Sequence, residues 1–269
     1  MPDEKRFLIN LPQLAAALHE KRKAKGMTLA EADKTLREQR LFFGNTMLAL
    51  GMVDGLVGGS IASTPDMLRA AFQCVGTAKG IKLGSSCFVM DLQQPTPSGD
   101  DVLIYADCGA NPCPTAEQLV DIAHATAISW RSLLGQQPKL AFLSFSTKGS
   151  ASHELVDKMH LATELTQKRF AEIKLDAIVD GELQADAAII PKVAASKNPK
   201  GLIKGNANVL IFPDLQAGNI CYKLTERLAN AVAYGPILQG LAKPINDFSR
   251  GCSTEDIVGV ICITVCQGL

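Results

Sequence analysis

The sequence predicts a layered α/β protein built on a mostly parallel, mixed sheet. Short β-rich runs alternate with longer helical patterns along the chain, as in βαβ units. The strand candidates are near-continuous apolar runs, such as residues 140–145 and 209–212, which suits strands covered on both faces. Residues 86–90 and 102–105 are separated by a Pro/Ser/Gly loop over 93–100, so one hairpin makes the sheet mixed.

The elements follow in order. Helical patterns cover residues 14–23 and 29–39, the second behind a Thr28-Leu29-Ala30-Glu31 capping box. Residues 42–50 come next, then a short strand over 55–57. A helix over 65–74 follows, with Thr64 as N-cap and Pro65 at the first helical position. After the hairpin, Thr115 and Gln118 open a long helix reaching about Leu134. Residues 140–145 form a buried strand and 153–173 a second long helix. Residues 177–179 and 209–212 are short strands, and 215–232 are helical. The last helix, from Thr254 to about Cys266, is apolar on nearly every face, so its enclosure is expected.

Composition sets bounds. The 269 residues allow one large or two modest domains. Lys+Arg and Asp+Glu both total 27, which argues against nucleic acid or an anionic membrane as the main partner. The apolar run over 257–269 is shorter than the ~20 residues that span a bilayer. The charged start lacks a signal-peptide core. Eight cysteines without a C-x-x-C pair read as reduced thiols of a cytoplasmic protein. Cys262 and Cys266 lie one helical turn apart without further ligands, so no metal site is expected.

Five segments could carry chemistry. Residues 54–69 read as strand, glycine loop, hydroxyl pair (Ser63, Thr64) and helix bearing Arg69. Such a loop lets backbone approach an anion at a helix N-terminus, and Arg69 adds a bidentate fork. An ordinary βα turn with a surface arginine accounts for it equally well. Residues 244–256 set Ser249, Arg250 and Asp256 at the mouth of the last helix. By spacing alone, Ser253 and Asp256 are better read as a capping box. In the loop 106–115, Cys108 has no histidine paired with it in sequence and reads as a packed thiol near a site. Residues 212–220 lead from a strand into a helix with Asn219 and Lys223 as possible ligands, though a plain turn is the better fit. The basic cluster 21–25, with Arg22, is best read as cations complementing a helix dipole. The four histidines receive no role.

Taken in order, these segments resemble the phosphate acetyltransferase (phosphotransacetylase) and phosphate butyryltransferase family. The likeness runs from about Leu11 onward and rests on residues 21–28, 53–73, 107–118, 143–149, 180–188, 211–222 and 235–257. Asp180-Gly181-Glu182-Leu183-Gln184 and Gly235-Pro236-Ile237-Leu238-Gln239-Gly240 are closest to the acetyl branch. The resemblance implies two three-layer α/β/α domains with a cleft between them, layered as in isocitrate and isopropylmalate dehydrogenases. Projected here, residues 1–81 plus 236–269 form domain I and 82–235 form domain II. It also implies a homodimer and reversible acetyl transfer between acetyl phosphate and coenzyme A, releasing phosphate, with no cofactor and no metal. Family members carry further βα units ahead of this chain's first residue, so a shortened domain I is expected. Gly58 stands where the family often has Ser, and Ala62 where it often has His.

The same resemblance assigns roles. Arg69 and Arg250 would hold the phosphoryl oxygens, with Ser63 or Thr64 completing the cradle. Arg22 would bind coenzyme A or phosphate at the cleft edge, and Cys108 would stand among the substrate contacts. Asp256 would take the thiol proton and Ser249 would stabilise the oxyanion. Full proton transfer from a thiol of pKa ~8.5 to an aspartate of ~3.9 costs about 6 kcal/mol, so the site must narrow that gap or couple transfer to C–S bond formation. Two other classes stay open. One is a domain that senses acetyl-CoA without turnover, as in such domains appended to malic enzymes. The other, a metal-dependent decarboxylating dehydrogenase, lacks a convincing aspartate ligand set.

Overall fold

A computed structural model describes residues 11–248 and 251–268, and it has the layered α/β architecture. Helix α1 (Leu11–Arg22) passes through a 3-10 turn (Lys23–Lys25) into α2 (Leu29–Glu38) and α3 (Arg40–Ala49). The capping box at Thr28 forms as expected. Thr28 Oγ1 accepts the Glu31 amide, and Glu31 accepts the Thr28 amide at 2.7 Å. Strand β1 (Leu56–Gly58) then leads through the glycine loop to α4 (Thr64–Cys74). Ser63, not Thr64, caps α4, because its Oγ accepts the Asp66 amide while Thr64 already has a place in the first turn.

The main sheet holds β2 (Ser85–Asp91), β3 (Val102–Ala106), β4 (Lys139–Leu143), β5 (Ile178–Leu183), β6 (Val209–Ile211) and β7 (Val232–Gln239). Its order is β5-β4-β6-β3-β2-β7. The β5-β4-β6-β3 run is parallel, and β2 lies antiparallel to both its neighbours. Long helices α5 (Ala116–Leu134) and α6 (Glu154–Glu172) cover one face. The other carries the short α7 (Ala185–Ile189) and α8 (Pro191–Lys197), and then α9 (Leu215–Leu228). Strand alternation produces the two apolar layers. Cys87, Ile104, Leu140 and Phe142 face Leu119, Trp130 and Met159, whereas Met90, Leu103, Ala141 and Leu183 face Ala188 and Ile203.

A smaller core forms around α1 to α4. It gathers Leu14, Leu18, Leu48, Met67 and Ala71, and takes Leu238 and Ile245 from the C-terminal segment. Its sheet, among the described residues, is the parallel pair β1 and β8 (Ile245–Asp247), with Val57 opposite Asn246. The chain ends in α10 (Thr254–Gly268).

Two expectations need correction. The helical pattern over 215–232 stops at Leu228, and residues 232–239 form β7, which was not foreseen. Pairing with β2 decides this, since β7 finds its hydrogen bonds only across a distant stretch of chain. Likewise α10 is not enclosed. Val260 and Thr264 are buried and Gly259 lies against the Tyr234 ring, but Val258, Ile261 and Val265 are about half exposed or more. A helix laid on one surface buries one stripe, here the one whose small residues allow close approach.

Candidate active site

Two recesses flank the glycine loop. A cavity of about 340 Å³ is lined by Gly59, Ser63, Thr64, Cys108, Asn219 and Asp247, among others. A groove of about 650 Å³ lies on the other side, where Arg40, Asp66 and Arg69 stand beside Gly58, Gly59 and Ala62. Gly59 and Ala62 border both, so one short loop divides them.

The wall from the larger core is shaped by Asp107. This buried carboxylate accepts the Gly109 and Ala110 amides at 3.0 Å each and the Asn111 amide at 3.1 Å. Ser86 Oγ donates to it at 2.5 Å, which ties the turn to β2. Three amides turned on one carboxylate fold the chain sharply after β3 and bring Cys108 and Gly109 to the cavity. The α9 helix completes the wall because Gly218 has no side chain. A Cβ there would meet the Asp107 carbonyl at 2.5 Å and Cys108 Sγ at 2.9 Å. That close seat presents Asn219, whose Nδ2 donates to the Cys108 carbonyl at 3.2 Å, and Tyr222, whose ring stacks on Phe88 at 3.8 Å.

The opposite wall is the start of α4 and the end of β8. Ser63 Oγ donates to Asp66 at 2.6 Å. Thr64 Oγ1 donates to Asp247. A hydroxyl has one proton to give, so in this arrangement both are committed to carboxylates. Asp247 is buried and also accepts the Phe248 amide at 2.9 Å. Burial pushes its carboxyl above the ordinary value, against the opposing pull of the Thr64 and Phe248 hydrogen bonds. Gly59 has φ +116°, and a Cβ on it would overlap Asp247 Oδ1 and reach the Phe248 carbonyl at 2.8 Å.

The remaining expected residues fall as follows. Arg69 borders the groove and pairs with Asp66 at 3.3 Å, its side chain mostly exposed. Cys108 is a fully buried wall residue. Burial, with Asp107 and two neighbouring cysteines, drives its thiol pKa well up, which removes the thiolate a nucleophile would need. Arg22 ends α1 beside Cys74, at the far end of α4 from Thr64, roughly 15 Å along the helix at 1.5 Å per residue. Its Nε is buried without an acceptor. Asp256 occupies the first turn of α10 in a reciprocal box: it accepts the Ser253 amide at 2.8 Å, and its own amide reaches Ser253 Oγ at 3.1 Å. It does not line the cavity. Ser249 and Arg250 lie outside the described residues. The structure thus gathers Ser63, Thr64 and Cys108, sets Arg69 across the loop, and keeps Arg22 apart. Sequence reasoning assigned no role to Asp247, Phe88 or Tyr222. The usable signal for Asp247 was its place in the dense polar run of Asn246, Asp247, Ser249 and Arg250.

Fold and site together define an α/β protein with an anion-suited glycine loop at a recess where two cores meet. Its sequence matches the phosphate acetyl/butaryl transferase family model over residues 8–265. The chain belongs to that family. It is 51% identical to a phosphate acetyltransferase of Thermoanaerobacterium thermosaccharolyticum over 253 residues, covering 94% of this chain and 76% of the relative. Among solved structures, a phosphotransacetylase from Streptococcus pyogenes has a TM-score of 0.87 at 43% identity, covering 97% of this chain and 76% of that one. The EutD phosphotransacetylase from Staphylococcus aureus has a TM-score of 0.86 at 42% identity, with 96% and 75% covered.

Proposed function

We propose that this chain is a phosphate acetyltransferase, moving an acetyl group reversibly between acetyl phosphate and coenzyme A. The observation that carries this reading is the glycine loop and α4 N-terminus opening on the cavity, in a chain about half identical to phosphate acetyltransferases. The coenzyme A thiol attacks the acetyl carbonyl and phosphate departs. The α4 N-terminus, its partial positive charge unshielded by any side chain from Gly58 or Gly59, suits the phosphoryl group.

Arg69 and Arg250 hold the phosphoryl oxygens in this proposal. Arg69 must leave Asp66 to do so, a small demand for an exposed pair. Ser249 stabilises the oxyanion and Asp256 accepts the thiol proton. Asp256 then exchanges its cap contact for the substrate, as catalytic hydrogen bonds often tighten only in the complex. Ser63 and Thr64 fix the loop, because their protons are already donated. Arg22 serves coenzyme A away from the reacting carbonyl, where its spare Nε–H would find an acceptor. The chemistry uses no metal or prosthetic group. We assign two domains, residues 1–81 plus 236–269 and 82–235, with β7 running from the second into the first. A cytoplasmic homodimer completes the proposal, supported by unpaired cysteines and by the exposed stripe Ile220, Leu224 and Leu228 on α9.

The test is thioester formation from acetyl phosphate and coenzyme A, followed by absorbance beside phosphate release. Equal rates of both support the reading. Calorimetric binding of acetyl-CoA without turnover sinks it in favour of a sensor.

A further inference from the structure

Asp247 is a buried carboxylate at the cavity that the proposed chemistry leaves unused. Its two oxygens face different parts of the chain. Oδ2 takes the Thr64 hydroxyl, in the first turn of α4. Oδ1 takes the Phe248 amide at 2.9 Å, just past β8. Gly59 packs directly on the same carboxylate, with room for no side chain between them. The Phe248 amide also reaches the Gly58 carbonyl at 3.1 Å, so strand pairing and carboxylate act on the same few atoms. Beside this contact, β1 and β8 are joined by three paired residues of a two-stranded sheet. Such a short ladder fixes little by itself.

We propose that Asp247 is a positioning residue for the acyl phosphate, tying the Thr64 hydroxyl to the Phe248 amide and so holding the Gly59 turn against β8 as the cavity floor. This rests on the acetyltransferase reading. Asp247 acts through Thr64 and the loop rather than on the reacting atoms. Two consequences follow. First, the loop approaches an anion through backbone and helix terminus, since the Thr64 proton points at Asp247. Second, the bridge needs a hydrogen-bonding side chain of this length but not its charge. In Asp247→Asn the amide oxygen can keep the Phe248 amide, and the NH2 can donate to Thr64 Oγ1.

The experiment compares Asp247→Ala, Asp247→Asn, Thr64→Val and Thr64→Ser in two readouts. Steady-state kinetics should show Asp247→Ala and Thr64→Val raising KM for acetyl phosphate by roughly tenfold, the scale of one lost buried hydrogen bond, with KM for coenzyme A nearly unchanged. Asp247→Asn and Thr64→Ser should restore it to within about threefold. Hydrogen exchange without substrate should show faster exchange over residues 58–64 in the first pair and near-native protection in the second. Thr64→Val keeps the shape of the site, so the test survives if Asp247→Ala does not fold. Equal loss of turnover in Asp247→Asn and Asp247→Ala would overturn the proposal and make the carboxylate a proton carrier. Unchanged exchange over 58–64 in both Asp247→Ala and Thr64→Val would overturn it also. If the native chain makes no acetyl-CoA, the activity reading fails while the exchange pattern still decides the positioning role.

Discussion

Replacing Gly59 by alanine should damage both stability and acetyl phosphate use, and the size of the effect can be worked from the structure. At φ +116° the backbone is in a region L side chains rarely adopt, which costs about 1–3 kcal/mol. The added methyl would overlap Asp247 Oδ1 and stand 2.8 Å from the Phe248 carbonyl. Both neighbours are held, the first by Thr64 and the second through the Phe248 amide's bond to the Gly58 carbonyl, so overpacking adds about 1–3 kcal/mol. The sum, about 2–6 kcal/mol, should lower Tm by roughly 4–24 °C for a chain of this size. Gly99→Ala separates the two terms. Gly99 has φ +95° in the hairpin loop with nothing near its would-be Cβ, so it carries the backbone cost alone. Thermal melts of both variants, with KM for acetyl phosphate, give the comparison. Equal Tm shifts, or an unchanged KM in Gly59→Ala, would refute the close packing of loop, Asp247 and β8.

Other substitutions follow the same logic. Gly218→Ala gains about 1 kcal/mol of helix propensity but drives a methyl into the Asp107 carbonyl, so melts should show net destabilisation and kinetics a weakened site as α9 shifts. Asp180→Ala should cost on the order of 3 kcal/mol by denaturant titration, because the Ile203 amide and Asn198 lose a buried acceptor and Lys148 loses its ion pair, keeping the Gly181 carbonyl. Stability should also depend on pH through Asp247. Burial raises its folded value, so the contribution is favourable below the ordinary carboxylate range and is lost as pH rises through the raised value. Asp180 and Glu182 behave oppositely: burial pushes them up, but the hydrogen bonds they accept leave both lowered, and their contribution is lost as pH falls. The difference in Tm between Asp247→Asn and the native chain isolates the first effect, and it should grow in the variant's favour as pH rises through the window. Gly58→Ser, the residue the family often carries, should be tolerated in melts, since its Cβ would meet the flexible end of Met67 at 3.2 Å and Leu41 at an ordinary 3.8 Å.

Local chemistry made much of the fold legible. Thr28 with Glu31 and Thr115 with Gln118 announce helix starts because the cap is built within one turn. The β2–β3 hairpin is legible for the same reason. Strand β7 was not, because residues 232–239 become a strand only through β2, far away in sequence. The last helix misled because an all-apolar pattern has no stripe to read, and which side is covered depends on Gly259 and Thr264 meeting Tyr234 and Asn246. In the site, the glycine loop and Asp107 turn were visible as motifs. The distance between Arg22 and Thr64 was not, since it follows from the packing of α1 beside the far end of α4. Nor could spacing reveal that the Ser63 and Thr64 protons are given to Asp66 and Asp247.

The most direct test of the activity is a side-by-side turnover measurement on the native chain and Asp256→Asn, with acetyl phosphate and coenzyme A both saturating. The expected result is stoichiometric acetyl-CoA and phosphate from the native chain, and a kcat at least a hundredfold lower in the variant with both KM values nearly kept, the scale of a lost general base. Acetyl-CoA binding with no turnover by the native chain would contradict the acetyltransferase reading. Native turnover matched by Asp256→Asn would contradict the assignment of the base.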